Sequence, residues 1–470
     1  MRINKKTKYR FQWGEQQSML SSEFWVKYWG AYYLGKPKCT DYIVASEKKY
    51  LDTYASVSML NEIHSRSNAF LKKKNRIRYF KRSKLQQRKY WLLFQRLQGL
   101  ELDKLSDIQI AEFLSRYVDL VQYISALFVM SDDKGLFAVT RKVQAMLREK
   151  GMFDILSLVT TPCKTDIFIN ELRDLKKLKH RKKIKRNDLL NHTKKHAWLF
   201  FNSYNTSENI LYIKNRLGES LNLKKKLNNL KQLCCRQKLI FNKMNDAELH
   251  DLCFFMQHMG LDRLQLKNCW AGAEFRFLDL FLEISKRIDV KFLAMMAGYR
   301  FQDYLEALIR GKKVSRNTLS RRLKKYILWK KNDTMYFSDS QIEVKNILNH
   351  LRRGVIEKTH DVKGVPANPG VRRGICRLVR SVDIHQVLVD MKRFKKGEIL
   401  VTWMTQPNMV PIVRKAAAII ADEGGIMSHA AVIAREFGIP CIVGAHNATK
   451  ILKDGDRVDV DAFKGIIRKI

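Results

Sequence analysis

Acidic residues, prolines and glycines are all scarce in this chain of 470 residues, and each shortage excludes something. There are 46 Asp plus Glu against 89 Lys plus Arg, a formal net charge of +43, which turns the chain away from cationic partners and towards phosphate backbones, an acidic partner or anionic substrates. Seven prolines and 22 glycines leave no room for a proline-rich linker, a collagen-like repeat or a low-complexity tract. The eight cysteines are scattered, without a CxxC pair, which fits reduced thiols in a cytosol better than a disulfide framework or a zinc ribbon. No apolar run approaches the length of a membrane span, and the basic start of the chain has no apolar core behind it, so neither a membrane protein nor a secretory signal is expected.

The texture of what remains changes once along the chain. From Met1 to about Ile356 it is helical, with long Leu, Lys, Arg and Asn stretches and little punctuation. Leu223, Leu227, Leu230, Leu233 and Cys234 recur at helical spacing, and Phe275, Leu278 and Leu282 continue the pattern. After Gly364 come short β-branched runs, glycine turns and Asp-Gly dipeptides, the texture of an α/β domain. The expected fold is therefore multidomain α and α/β. A basic, mostly helical domain spans 1–355 and a smaller α/β domain spans 356–470, with a hinge near Gly354 to Gly364.

The most informative run is Gly424-Gly425-Ile426-Met427-Ser428-His429-Ala430-Ala431, continuing to Gly438 and Pro440. The apolar stretch Ala416 to Ala421 before it reads as a buried strand, and the Ala-rich stretch after it as a helix ending at Gly438. His429 then stands at a strand–loop–helix junction. The first amides of a helix lack intrahelical partners and the helix dipole is positive there, which favours an anion. A neutral imidazole is a competent nucleophile towards phosphorus, and glycines let backbone approach a phosphate closely.

From these residues the chain resembles the swivelling phosphohistidine (mobile) domain of PEP-utilising enzymes, as found in phosphoenolpyruvate synthase, pyruvate phosphate dikinase and rifampin phosphotransferase. The resemblance is collinear over about the last hundred residues. It runs from Gly364-Val365-Pro366-Ala367-Asn368-Pro369-Gly370 and Gly374, through Gly397 to Thr402 and Thr405-Gln406-Pro407, to the His429 loop. It continues through Ile442-Val443-Gly444 and Asn447-Ala448-Thr449 to Leu452 to Val458 and Gly465.

The resemblance implies a swivelling β/β/α domain in which His429 carries a phosphoryl group, with Thr402 and Thr405 on neighbouring loops. In that scheme Gly424, Gly425 and the helix-start amides cradle the phosphoryl oxygens. Ser428 and Thr402 donate hydrogen bonds, and Arg435 offsets charge or pairs with Glu436. Two positions depart from the family. Met427 replaces a threonine that is regulated by phosphorylation in several relatives, and Gln406 replaces a frequent acidic residue.

No glycine-rich phosphate loop with acidic metal ligands is visible, and the chain stops at Ile470 directly after its last strand pattern. Neither an ATP-grasp domain nor a PEP-binding barrel is therefore expected. The implied activity is that of a dikinase-like phosphotransferase component. Mg²⁺ and ATP are expected on a partner chain of ATP-grasp type, and an unknown anionic or small-molecule acceptor is held by the helical domain. No metal is assigned to this chain itself.

Other readings compete. The fold could serve a non-catalytic regulatory or binding protein. The charge runs Lys72 to Lys84 and Lys176 to Arg186 could bind nucleic acid non-specifically, although no reading motif accompanies them. His192 and His196, at i and i+4, and the group His250, Cys253 and His258 read as packing residues rather than metal ligands. Trp25, Tyr28, Trp29, Tyr32 and Tyr33 form an aromatic cluster that reads as core. Trp13-Gly14-Glu15, the His196-Ala197-Trp198 region and Arg310 to Arg322 weakly resemble helical domains that precede the mobile domain in dikinase-like proteins.

Overall fold

The computed structural model describes residues 7–16, 18–28, 40–47, 50–132, 134–200, 203–218, 222–352, 362–379, 384–426 and 428–470. Gly354 to 361, where most of the expected hinge falls, lie outside them, as do Trp29, Tyr32, Tyr33 and Met427. The chain divides into two compact units: residues 1–136 with 269–357, and residues 137–268 with 358–470. Two of the breaks follow Leu136 and Asn268, so residues 137–268 belong with the carboxy-terminal part of the chain.

The first unit is mostly helical, with one element the sequence reading omitted. A five-stranded antiparallel sheet runs in the order Tyr9–Gln16, Tyr50–Ser56, Asp41–Glu47, Lys325–Lys331, Thr334–Ser338. Its central strands are wholly apolar on both faces at Tyr42, Ile43, Val44, Ile327 and Leu328, all buried, so they lack the alternation that marks a strand. The last two strands join through Asn332, whose φ of 53° is a hairpin-turn conformation that Asn tolerates. Trp25 is buried in the same core, as expected. One helix, Asp107–Met130, is long and apolar enough to cross a bilayer, which the sequence reading did not anticipate. Within its most apolar window 61% of the residues are buried against the protein, because its Ile, Phe, Leu and Val side chains fill this unit's core.

The second unit holds the functional motif. Its carboxy-terminal part is built on an eight-stranded sheet, and four neighbouring strands of that sheet are parallel: β1 (Val371–Val379), β2 (Ile399–Thr402), β3 (Ala418–Ala421) and β4 (Cys441–Val443). Flanking strands at Arg457–Asp461, Ile466–Lys469, Val362–Lys363 and Val365–Asn368 pair antiparallel. Every residue of β2, β3 and β4 is buried, which is why they read as short unbroken apolar runs. The amino-terminal part of the unit is helical and includes α1 (Ile167–Lys179), α2 (Arg186–Lys195), α3 (Thr206–Leu217) and α4 (Leu223–Met244). The helix α5 (His429–Phe437) follows β3.

Candidate active site

The loop between β3 and α5 is held at the carboxyl ends of the parallel strands, where α/β sheets place their ligands. Its anchor is Asp422, fully buried and missed by the sequence reading. The Asp422 carboxylate accepts from the backbone N–H of Ala448 (2.6 Å) and Thr449 (3.1 Å) and from the Thr449 hydroxyl. Its own N–H donates to the Thr402 carbonyl (3.1 Å), and Glu423 N–H donates to Trp403 O (2.9 Å). The loops after β2, β3 and β4 are thereby tied together. An acidic residue directly after an apolar strand run was the available signal.

Gly424 then turns the chain at φ 108°, a conformation essentially limited to glycine. A Cβ there would stand 2.6 Å from Ser428 Cβ. The backbone N–H groups of Gly424, Gly425 and Ile426 find no acceptor among the described residues. Ser428 N–H donates to Gly425 O (2.9 Å), closing the loop. Ser428 is the N-cap of α5, its hydroxyl accepting from Ala431 N–H at 3.3 Å. Gly438 ends the helix in the left-handed conformation, as its position suggested.

His429 is therefore the first residue of α5. The Thr405 hydroxyl lies 2.7 Å from its Nδ1. Its Nε2 is buried and has no hydrogen-bond partner among the described residues. The imidazole packs against the Phe168 ring of α1, centroids 5.3 Å apart and tilted by 34°. Phe168 in turn meets Trp198 edge-on at 5.0 Å. Burial holds the imidazole pKa well below the usual histidine range. The Lys267 ammonium adds to that, and a hydrogen bond to Thr405 opposes it. The ring is neutral at physiological pH and, if Nδ1–H donates to Thr405 Oγ1, its free lone pair is on Nε2.

The remaining expected residues divide. Gly424, Gly425, Ser428, Thr405 and His429 are brought together. Thr402, at the end of β2, is buried and donates its hydroxyl to Met404 O (3.0 Å), so it acts in shaping the loop that carries Thr405. Arg435 Nη2 donates to Ile426 O at 2.8 Å and so clamps the loop from the second turn of α5. Glu436 forms its ion pair with Lys226 of α4.

His192 and His196 of the sequence reading are buried packing residues. His192 Nε2 lies 3.2 Å from Glu171 Oε1 and His196 Nε2 3.0 Å from Asp174 Oδ2. Cys253 is buried in the core, as expected. Among the described residues no group of three or more His, Cys, Asp or Glu is placed to hold a metal ion. Phe168 and Trp198, far from His429 in the chain, carry no sequence signal that joins them to it.

Residues 394–465 match the family model for the PEP-utilising enzyme mobile domain. A probable phosphoenolpyruvate synthase of Staphylothermus marinus is 43% identical over 128 residues, 27% of this chain and 14% of that protein. An uncharacterized phosphotransferase, YvkC, of Bacillus subtilis is 40% identical over 104 residues, 22% of this chain and 12% of that protein. This chain thus spans about an eighth of the length of the curated relatives it matches. Among solved structures, Enzyme I (nEIt) aligns over 64% of this chain and 77% of its own at 13% identity, with a TM-score of 0.18, too low to define a common fold. With the matched segment, the collinear motifs and the strand–loop–helix geometry in agreement, the carboxy-terminal part of this chain is a PEP-utilising enzyme mobile domain.

Proposed function

We propose that this protein is a phosphotransferase component that carries a phosphoryl group on Nε2 of His429. The observation that carries the reading is the state of the imidazole: neutral, fixed through Nδ1 by Thr405, with Nε2 left without a partner at the start of α5. The Nε2 lone pair attacks phosphorus, the N–P bond forms, and the bond from phosphorus to the leaving oxygen breaks with its electrons going to the donor. With Nδ1–H donating to Thr405 Oγ1, Nε2 carries no proton and loses none in this step. The unpaired amides of Gly424, Gly425 and Ile426 and the positive end of α5 offer donors for the phosphoryl oxygens. In the second half-reaction the N–P bond breaks and phosphorus passes to an acceptor.

The helix start alone contributes roughly 0.3–2 kcal/mol towards holding an anion. That is far below the ~8 kcal/mol at the low end of enzymatic barrier lowering. The donor site is therefore assigned to a partner of ATP-grasp type that binds ATP and Mg²⁺. The mobile domain swivels between that partner and an acceptor held by the basic helical region. The free thiols among the described cysteines favour a cytosolic setting.

The test uses purified full-length protein with Mg²⁺ and β- or γ-labelled ATP, alone and with a candidate ATP-grasp partner. Acid-labile, alkali-stable label on wild type and none on His429→Ala is the expected result, and only with the partner. Equal labelling of the two proteins overturns the assignment of His429. Labelling of His429 without a partner overturns the trans arrangement.

A further inference from the structure

Away from His429, the amino-terminal part of the second unit carries a broad, solvent-open groove of about 740 Å³, within the range of small-molecule sites (about 300–1,000 Å³). It lies between the loop that precedes α1, the last turn of α1 and one face of α4. Its floor is the half-buried stripe Leu223, Leu227 and Leu230, spaced three and four residues apart on α4. Around that floor stand four lysines, Lys164, Lys176, Lys224 and Lys231.

None of the four has an ion-pair or hydrogen-bond partner among the described residues, and no Asp or Glu lines the groove. Lys226 is different: it points from another face of the same helix and is paired with Glu436. The thiols of Cys163 and Cys234 complete the lining. Burial, with the neighbouring Cys234 thiol, pushes Cys163 up to about 11, so that thiol stays neutral and does not offset the lysines. An apolar floor ringed by uncompensated cations is complementary to one kind of molecule. Water alone leaves three leucines half-solvated, and a purely inorganic anion leaves them unused.

We propose that this groove is a binding site for a small amphipathic anion, a molecule with an apolar body and a phosphate or carboxylate head, which lays its body on Leu223, Leu227 and Leu230 and its head among the lysines. The site stands independently of the phosphoryl-carrier reading. The sequence shows the leucine spacing but not what covers it.

The experiment is isothermal titration of the full chain with octyl phosphate below its micelle concentration. Octyl glucoside and inorganic phosphate serve as the neutral and the purely ionic counterparts. Saturable one-to-one binding of octyl phosphate is expected, tighter than either counterpart. The charge-reversed double variant K224E/K231E should weaken it at least tenfold and Leu227→Asn severalfold, while His429→Ala leaves it unchanged. Circular dichroism of the exposed lysine variants verifies their fold. Equal affinity of K224E/K231E, or of octyl glucoside, overturns the proposal. So does tighter binding of a 20-nucleotide oligomer, which would make the face a nucleic-acid surface. Cosedimentation with anionic vesicles that K224E/K231E abolishes, without binding of free octyl phosphate, would make it a membrane contact instead.

Discussion

Replacing Thr405 by Val tests the central geometry with a change of almost no volume. The hydroxyl that meets His429 Nδ1 at 2.7 Å becomes a methyl, and the buried Nδ1–H loses its acceptor. Leaving a buried donor unsatisfied costs about 1–3 kcal/mol. That cost falls on the Nδ1–H tautomer, the one whose lone pair is on Nε2. At about 1.4 kcal/mol per factor of ten, that cost corresponds to about a five- to 150-fold smaller population ratio of that tautomer to the other.

The rate of phosphorylation at Nε2 should fall by up to that factor, with Thr405→Ser close to wild type because it keeps the hydroxyl. Two readouts are needed. One is the rate of phosphohistidine formation from phosphoramidate, with ³¹P NMR to identify the nitrogen. The other is the ¹⁵N shift pattern of the His429 ring, which reports the tautomer directly. An unchanged tautomer in Thr405→Val together with an unchanged rate would refute the argument that Thr405 selects the nucleophilic nitrogen.

Gly424→Ala should lose phosphorylation and destabilise the protein by more than the ~1–3 kcal/mol of an ordinary strained backbone residue, because φ is 108° and its Cβ would sit 2.6 Å from Ser428 Cβ; chemical denaturation gives the value, and Gly425→Ala should be milder. Because burial keeps His429 neutral in this arrangement, the ¹⁵N shifts of its ring in the unphosphorylated protein should show no protonation step near pH 6.5 between pH 8 and 6. Stability behaves differently: His196 is held down to about 4, chiefly by burial, so the unfolded chain takes a proton below about 6.5 that the folded chain refuses. Stability present above that pH is lost as pH falls from about 6.5 towards 4, and thermal melts of His196→Gln should show a smaller loss over that window.

The strand–loop–helix around His429 was legible because each step has a local cause: an apolar run, a glycine that must turn, a Ser cap and a Gly stop. Residue roles within it were less so. Thr402 looked like a phosphoryl donor by type, yet its hydroxyl proton goes to Met404 O, whereas the Ser428 hydroxyl accepts from Ala431 N–H as a helix cap and keeps its own proton. Arg435 looked like a partner for Glu436, but adjacent residues on a helix point apart, and the loop carbonyl of Ile426 is within reach instead. Asp422 was overlooked because its partners, Ala448 and Thr449, lie beyond another strand. The five-stranded sheet was overlooked because its central strands are buried on both faces and lack the two-residue period. Phe168 could not be read at all, since nothing in the local sequence of α1 reports which imidazole it will cover.

That cover bears on how a carrier could work. With the Phe168 ring 5.3 Å from the imidazole and Nε2 buried, no phosphoryl group fits on Nε2 in this arrangement. A phosphorylated His429 and a Phe168 seated on it exclude each other. Near His429, the described residues of 358–470 meet those of 137–268 through ring packing as well as polar contacts, with Lys226 also lying over the Phe437 ring at 5.1 Å. The polar contacts include the Lys226–Glu436 pair, the Tyr212 hydroxyl donating to Asn408 O at 3.1 Å, and His385 against Glu208 at 3.1 Å. Partly exposed ion pairs contribute about 0–1 kcal/mol and a neutral hydrogen bond about 0.5–1.5 kcal/mol. Burial in this arrangement keeps the imidazole neutral while Phe168 is seated on it. If His429 carries a phosphoryl group as proposed, Phe168 has to leave it first, so the cover that lowers the basicity of His429 in this arrangement is also the part that must move.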